Sequence, residues 1–200
     1  MGMRKPVMGV FGGGQHTVPR DSPIYALARD LGQCLAQSGA LLLCGGRGGV
    51  MEAVALGARA GGGRSIGLLP FAAASGERAN EFIDHAVFTG LGDGRNFLMA
   101  AVPDAAIALG GEAGTLSEIG LALKLGTPLV YLGAWQFLND HGLPSVPYTE
   151  SAGDAVRLAF AALQLEPGQQ LARALKRPTV SDQTEHLLGL EQVVRGWSER

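Results

Sequence analysis

Charge is scarce in this sequence: Asp, Glu, Lys and Arg make up 17% of its 200 residues, against about 25% in an ordinary globular chain. With 46% hydrophobic residues beside so few charges, the composition excludes intrinsic disorder and asks for a well-covered interior or an oligomer interface. Sixteen Lys and Arg against eighteen Asp and Glu leave a net charge of −2, so nothing general attracts the chain to nucleic acid or to an anionic membrane. There are two cysteines, Cys34 and Cys44. Both lie inside apolar patterns, which suits reduced core thiols and not a disulfide framework. No run approaches the ~18 uninterrupted apolar residues of a membrane span, and Met1 to Val10 lacks an apolar stretch of signal-peptide length. The expectation is a soluble, cytoplasmic protein. His16, His85, His141 and His186 are scattered without ligand spacing, so no metal site is expected. No Gly-Lys pair occurs, which excludes a P-loop, and Met51 stands where the dinucleotide fingerprint needs its last glycine.

Glycine is what the chain has in excess, 31 of 200 residues, roughly twice the usual ~7% and without a collagen-like period. These residues serve turns and close backbone approaches. Short apolar runs alternate with segments of helical period. Val7 to Phe11 reads as a strand, and Ser22-Pro23 supplies an N-cap and an N1 proline for a helix whose face carries Ile24, Leu27, Ala28, Leu31 and Leu35. Ala40 to Cys44 is a second strand, followed by a glycine-rich turn and a helix through Met51, Val54, Ala55 and Ala58. Ser65 to Leu69, Ala86 to Thr89, Ala105 to Leu109 and Pro128 to Leu132 continue the strands, with helices after Asp93-Gly94-Arg95 and through Leu116, Ile119 and Leu123. The stretch from Ala72 to Asp84 reads as a loop with a short helix. Val146 to Tyr148 reads as an edge strand, since Pro144 and Pro147 argue against a central place, and Asp154 to Leu165 as a helix. Strands apolar on both faces alternating with helices predict a doubly wound α/β fold, a parallel sheet covered on both sides. One domain over residues 1–200 is expected, ending in an amphipathic helix marked by Leu187, Leu190, Val194 and Trp197.

In an open parallel sheet, ligands sit beyond the carboxyl ends of the strands. Three glycine-rich loops fall there: Gly12-Gly13-Gly14, Gly45-Gly46-Arg47-Gly48-Gly49 and Gly110-Gly111-Glu112-Ala113-Gly114. Backbone without side chains, leading into helix N-termini, favours an anion such as phosphate. Thr115-Leu116-Ser117-Glu118 has the spacing of a capping box, in which Thr115 and Glu118 satisfy orphan amides. Alternatively, Glu118 acts on the ligand from one turn inside the helix. Arg95 is the candidate cation, and Arg47 and Arg64 have equal claim to contact phosphate.

Gly45-Gly46-Arg47-Gly48-Gly49-Val50-Met51-Glu52, Gly94-Arg95-Asn96 and Gly110 to Glu118, in this order, resemble the LOG family, often labelled as lysine decarboxylases. The resemblance spans about residues 5 to 165. It implies a Rossmann-like fold, usually dimeric, with a nucleoside monophosphate held at the loop before Thr115. Characterised members are phosphoribohydrolases that cut the N-glycosidic bond of nucleoside 5′-monophosphates. By position, the family's catalytic glutamate falls on Glu118 and its arginine on Arg95, with Gly114 and Thr115 on the phosphate. A carboxylate is suited to this chemistry, because departure of the base leaves an oxocarbenium-like sugar. The decarboxylase label fails on the residues. A pyridoxal enzyme needs a Schiff-base lysine, and Lys5, Lys124 and Lys176 stand near the terminus or in helical segments.

The sequence departs from the family at Gly110, where the family has proline, at Glu112, where it has glycine, and at Asn96, where it has lysine. One cation is lost and one carboxylate gained beside the expected phosphate, which weakens its attraction. Gly94-Arg95-Asn96 and the run Gly110-Gly111 with Ala113 to Glu118 look more like a sister branch that includes a molybdenum-cofactor carrier, which binds a pterin phosphate without known hydrolysis; Glu112 is unusual even there. Two functions are therefore expected in order: hydrolysis of an AMP-like nucleotide by Glu118 and Arg95, and, as the alternative, non-catalytic carriage of a phosphorylated pterin. The site expected in either case comprises Gly12, Gly13, Gly45, Gly46, Arg47, Gly48, Gly49, Met51, Arg95, Asn96, Gly110, Gly111, Glu112, Gly114, Thr115 and Glu118, with no cofactor or metal, in a homodimer or higher homo-oligomer.

Overall fold

The computed structural model describes residues 5–133 and 146–163. Among them the chain runs β1 (Val7–Gly12), α1 (Pro23–Gln37), β2 (Leu41–Cys44), α2 (Val50–Ala60), β3 (Arg64–Leu69), β4 (His85–Phe88), α3 (Arg95–Ala101), β5 (Ala105–Leu109), α4 (Ala113–Leu125), β6 (Leu129–Leu132), β7 (Tyr148–Thr149) and α5 (Ala152–Ala161). All seven strands pair in parallel, in the order β4-β3-β2-β1-β5-β6-β7. The doubly wound, Rossmann-like α/β fold expected from the sequence is the fold observed. The chain builds outward from β1 to β4, then returns to lay β5 on the other side of β1. Strand order reverses between β1 and β5, and loops that follow these strands diverge there to leave a crevice.

Period-two alternation divides the core into two layers. On β5, Ala105, Ile107 and Leu109 join Met8, Val10, Val130 and Leu132 on the face covered by α1, α2 and α5. Ala106 and Ala108 face the other way, with Phe11, Leu129 and Tyr131, toward Met99 and Ala100 of α3 and Ile119 and Ala122 of α4. Helix α1 starts as its sequence demands. Ser22 accepts a hydrogen bond from the Tyr25 amide at 3.2 Å, and Pro23 occupies the first turn. Helices α1 and α2 touch through glycines. A Cβ on Gly32 would overlap the Val54 carbonyl, and one on Gly57 the Arg29 carbonyl.

Helix α4 differs from the sequence reading. It begins at Ala113, after Gly111 at φ +126° and an extended Glu112 whose side chain caps nothing. Thr115 is thus the third helical residue and Glu118 the sixth, so the expected capping box is not formed. Leu116, one of the apolar residues that marked this helix in the sequence, is 41% exposed. The short helix expected within residues 72–84 is a 3-10 turn at Ala73–Ser75. The edge strand β7 starts two residues later and ends one residue later than expected, and α5 starts at Ala152, capped by Ser151. The expected terminal helix, like residues 164–165 at the end of the helix expected before it, lies outside the described residues.

Candidate functional site

Because β1, β2 and β5 are parallel, the three glycine-rich loops that follow them emerge at one edge, around the switch between β1 and β5. They wall a cleft of about 210 Å³ with Arg95 and Asn96 of α3 and Thr115 and Glu118 of α4. A second compartment of about 630 Å³ adjoins it and shares Gly14, Arg47, Met51 and Arg95 with it.

Of the residues expected from sequence, Gly12, Gly13, Gly45, Arg47, Met51, Arg95, Asn96, Glu112, Gly114, Thr115 and Glu118 line the smaller cleft, and Gly48 lines the larger compartment. Gly46, Gly49, Gly110 and Gly111 shape the loops from behind, all at positive φ. The glycine at position 45 has a particular steric role. A Cβ there would run into Nη1 of Arg95 and come within 2.6 Å of Sδ of Met51, so a side chain at this position would push both from their places against the β2–α2 loop. At Gly111 a Cβ would collide with the Thr115 hydroxyl. The first α4 hydrogen bond runs from the Leu116 amide to the Glu112 carbonyl, so the amides of Ala113, Gly114 and Thr115 precede the intrahelical ladder.

Arg95 and Glu118 are the electrostatic centre. Nε and Nη1 of Arg95 are shielded from solvent yet have no hydrogen-bond partner. Burial lowers its pKa, against the pull of Glu118. Glu118 is 6% exposed. Burial lifts its carboxyl from 4.5 to about 7, opposed by the charge of Arg95. The Cys44 thiol nearby is pushed up to about 12 by burial, which leaves it unreactive at neutral pH. Neither cysteine is in a disulfide.

The other candidates are already engaged. Arg47 pairs with Glu77 at 2.6 Å and lies over the Phe71 ring, 5.4 Å from its centre. Arg64 has no claim on a ligand at this edge, since it opens β3 at the opposite end of the strand, where it pairs with Asp84 at 3.0 Å. Burial raises the Asp84 carboxyl, but the Ser65 amide and hydroxyl and Arg64 outweigh it and hold the group below its ordinary value. The Asn96 amide donates to Ser117 Oγ at 2.8 Å and so ties α3 to the start of α4.

Sequence reasoning missed Asp93 as a wall of the cleft and Gln15, Glu52, Glu77, Arg78 and Asn80 around the larger compartment, and it read His16, also on that wall, as an ordinary loop residue. Asn80 was invisible because its role is to hold another loop. Its backbone amide donates to the Gly46 carbonyl at 2.9 Å and its side chain to that of Arg47 at 2.8 Å.

An all-parallel Rossmann-like sheet with a glycine-walled cleft at its switch point defines the class of protein. Within that class, the chain belongs to the SLOG cluster4 family, which it matches over residues 5–155. An uncharacterized protein of Archaeoglobus fulgidus is 39% identical over 124 residues, covering 62% of this chain and 78% of the relative. The molybdenum cofactor binding protein of Rippkaea orientalis is similar in structure, with a TM-score of 0.71 at 33% identity, covering 82% of this chain and all of that one (100%). The molybdenum cofactor carrier protein of Chlamydomonas reinhardtii gives 0.69 at 32% identity, with coverage of 82% and 100%. These neighbours favour the binding reading, put second from the sequence, over the hydrolysis put first.

Proposed function

We propose that this chain binds a phosphorylated pterin, the molybdenum cofactor, as a carrier in the manner of its structural neighbours. The observation that carries this reading is Arg95. Arg95 is half-buried, and two of its guanidinium nitrogens are shielded from water without an acceptor, which is costly; an anionic ligand in the cleft would supply the missing acceptors. Gly114 and Thr115 present amides at the start of α4 to the same space, where the helix dipole favours negative charge. The donors therefore fit a phosphate monoester. Asp93, Glu112 and Glu118 oppose it on charge, and protonation of Glu118 near neutral pH reduces that opposition.

The test is retention of cargo. Cofactor freshly released from a molybdenum enzyme is mixed with the protein and passed through a desalting column. Molybdenum and pterin should elute with the wild type and be lost with Arg95→Ala. Free elution from the wild type would overturn the reading.

One observation favours a second reading, hydrolysis of a nucleoside 5′-monophosphate. Glu118 does not cap its helix, and a buried carboxyl that titrates at about 7 is suited to general acid–base work. Release of adenine from AMP by the wild type and not by folded Glu118→Ala would establish it. Homodimer formation remains part of the proposal, supported by the low charge content and by two exposed apolar residues, Val102 just after α3 and Leu116 on the adjoining α4.

A further inference from the structure

We propose that the ligand carries two separated anionic groups, the first at Arg95 in the cleft and the second at Arg78 across the larger compartment. This rests on the reading of the cleft as a phosphate site and extends it to an anchor that nothing in the sequence motifs assigns.

Size makes the first point. At about 210 Å³ the cleft is smaller than the ~300–1,000 Å³ of ordinary small-molecule sites. A ligand larger than its phosphate group has room to extend into the adjoining 630 Å³, whose wall Arg95 shares.

Charge makes the second. Arg20, Arg29, Arg47, Arg64 and Arg157 each form an ion pair, and Arg59 donates to the Glu81 carbonyl. Among the described residues, Arg78 and Arg95 are the arginines whose side chains make neither an ion pair nor a hydrogen bond, and both line the larger compartment. The carboxylates on that wall are taken. Glu52 is held by Arg20 at 2.7 Å and by the Tyr25 hydroxyl at 3.0 Å, and Glu77 by Arg47.

Placement makes the third. Arg78 stands on a strongly fastened piece of chain. On one side Glu77 also accepts from the Phe71 amide at 2.9 Å, and on the other Asn80 is bonded to the β2–α2 loop. The backbone of Arg78 is thus fixed at the compartment wall while its side chain remains uncommitted. A phosphomonoester whose body fills the compartment and ends in a second oxyanion would engage both cations.

The experiment compares guanosine 5′-monophosphate with guanosine 3′,5′-bisphosphate, since guanine shares the 2-amino-4-oxopyrimidine edge of a pterin. Dissociation constants are measured at low ionic strength for the wild type, Arg78→Ala, Arg78→Lys and Arg95→Ala, with folding checked by circular dichroism. The wild type should prefer the bisphosphate by about two- to fivefold, the worth of one exposed charge-assisted contact. That preference should fall to near unity in Arg78→Ala and be largely kept in Arg78→Lys, while Arg95→Ala weakens both ligands. Equal affinities in the wild type, or an undiminished preference in Arg78→Ala, would overturn the second anchor and leave the cleft reading standing. Failure of both nucleotides to bind the wild type would overturn the guanosine phosphate site itself, and the second anchor with it.

Discussion

Glu118 prefers to be neutral in the fold and charged in the unfolded chain. Its folded pKa of about 7 lies above the ordinary 4.5, so the folded state holds its proton more tightly. The contribution is fully present below about pH 4.5 and is lost as pH rises through about 7, a swing of ~3 kcal/mol at most. Urea unfolding at a series of pH values should show this decline in the wild type and a flatter profile in Glu118→Gln. Identical profiles would show that the carboxyl is not held as described. Arg95 is the complementary case, a cation partly desolvated and without acceptors, a cost that the proposed ligand would offset. Arg95→Met should melt higher than the wild type at pH 6, where Glu118 is mostly protonated and leaves no bare charge behind, yet fail to retain cargo. A lower melting temperature would mean that the guanidinium is structural.

At the scale of elements, the most sensitive contact is the crossing of α1 and α2, where Gly32 and Gly57 admit the opposing carbonyls. The clash is with backbone, which cannot rotate aside as a side chain does. Gly57→Ala should cost about 2 kcal/mol or more, seen as a reduced denaturation midpoint. A near-neutral effect would show that the two helices can separate cheaply.

Most of these elements were legible in the sequence. Val7 to Phe11, Ala40 to Cys44 and Ala105 to Leu109 are apolar runs bounded by glycine or proline, and Ser22-Pro23 is a strong helix start. The start of α4 was misread because Thr-x-x-Glu has the same spacing whether or not the helix begins there. The deciding residue was Gly111, whose positive φ turns the chain two residues earlier. Asn80 and Glu77 were illegible for another reason. Their work is to fasten loops distant in sequence, and no local pattern records that. The three glycine loops could be placed at one edge from the alternation of strands and helices alone, but the burial of Arg95 required knowing that Gly45 would sit beneath it.

For the molecule as a whole, α4 is apolar on nearly every side, and Leu116 at its start faces solvent. Association through the α3–α4 side would cover it. Sedimentation should give about twice the mass of the 20.7 kDa chain, shifting toward monomer in Leu116→Glu with the helical circular dichroism signal intact. A monomeric wild type would remove dimerisation from the proposal.

The central place of β1 has a consequence during synthesis. Its partner on one side, β2, follows directly, but the partner on the other is β5, and the hydrogen bond between Val7 and Asp104 beside it spans 97 residues. Until that later segment leaves the ribosome, the growing chain carries an unpaired, apolar strand edge, a template for pairing with other nascent chains. The proposed ligand could not protect it, because half of the residues lining the cleft have not yet been made. Chaperone dependence should therefore peak in the interval between emergence of β4 and of β5, and added ligand should improve the yield of finished protein without relieving that early exposure.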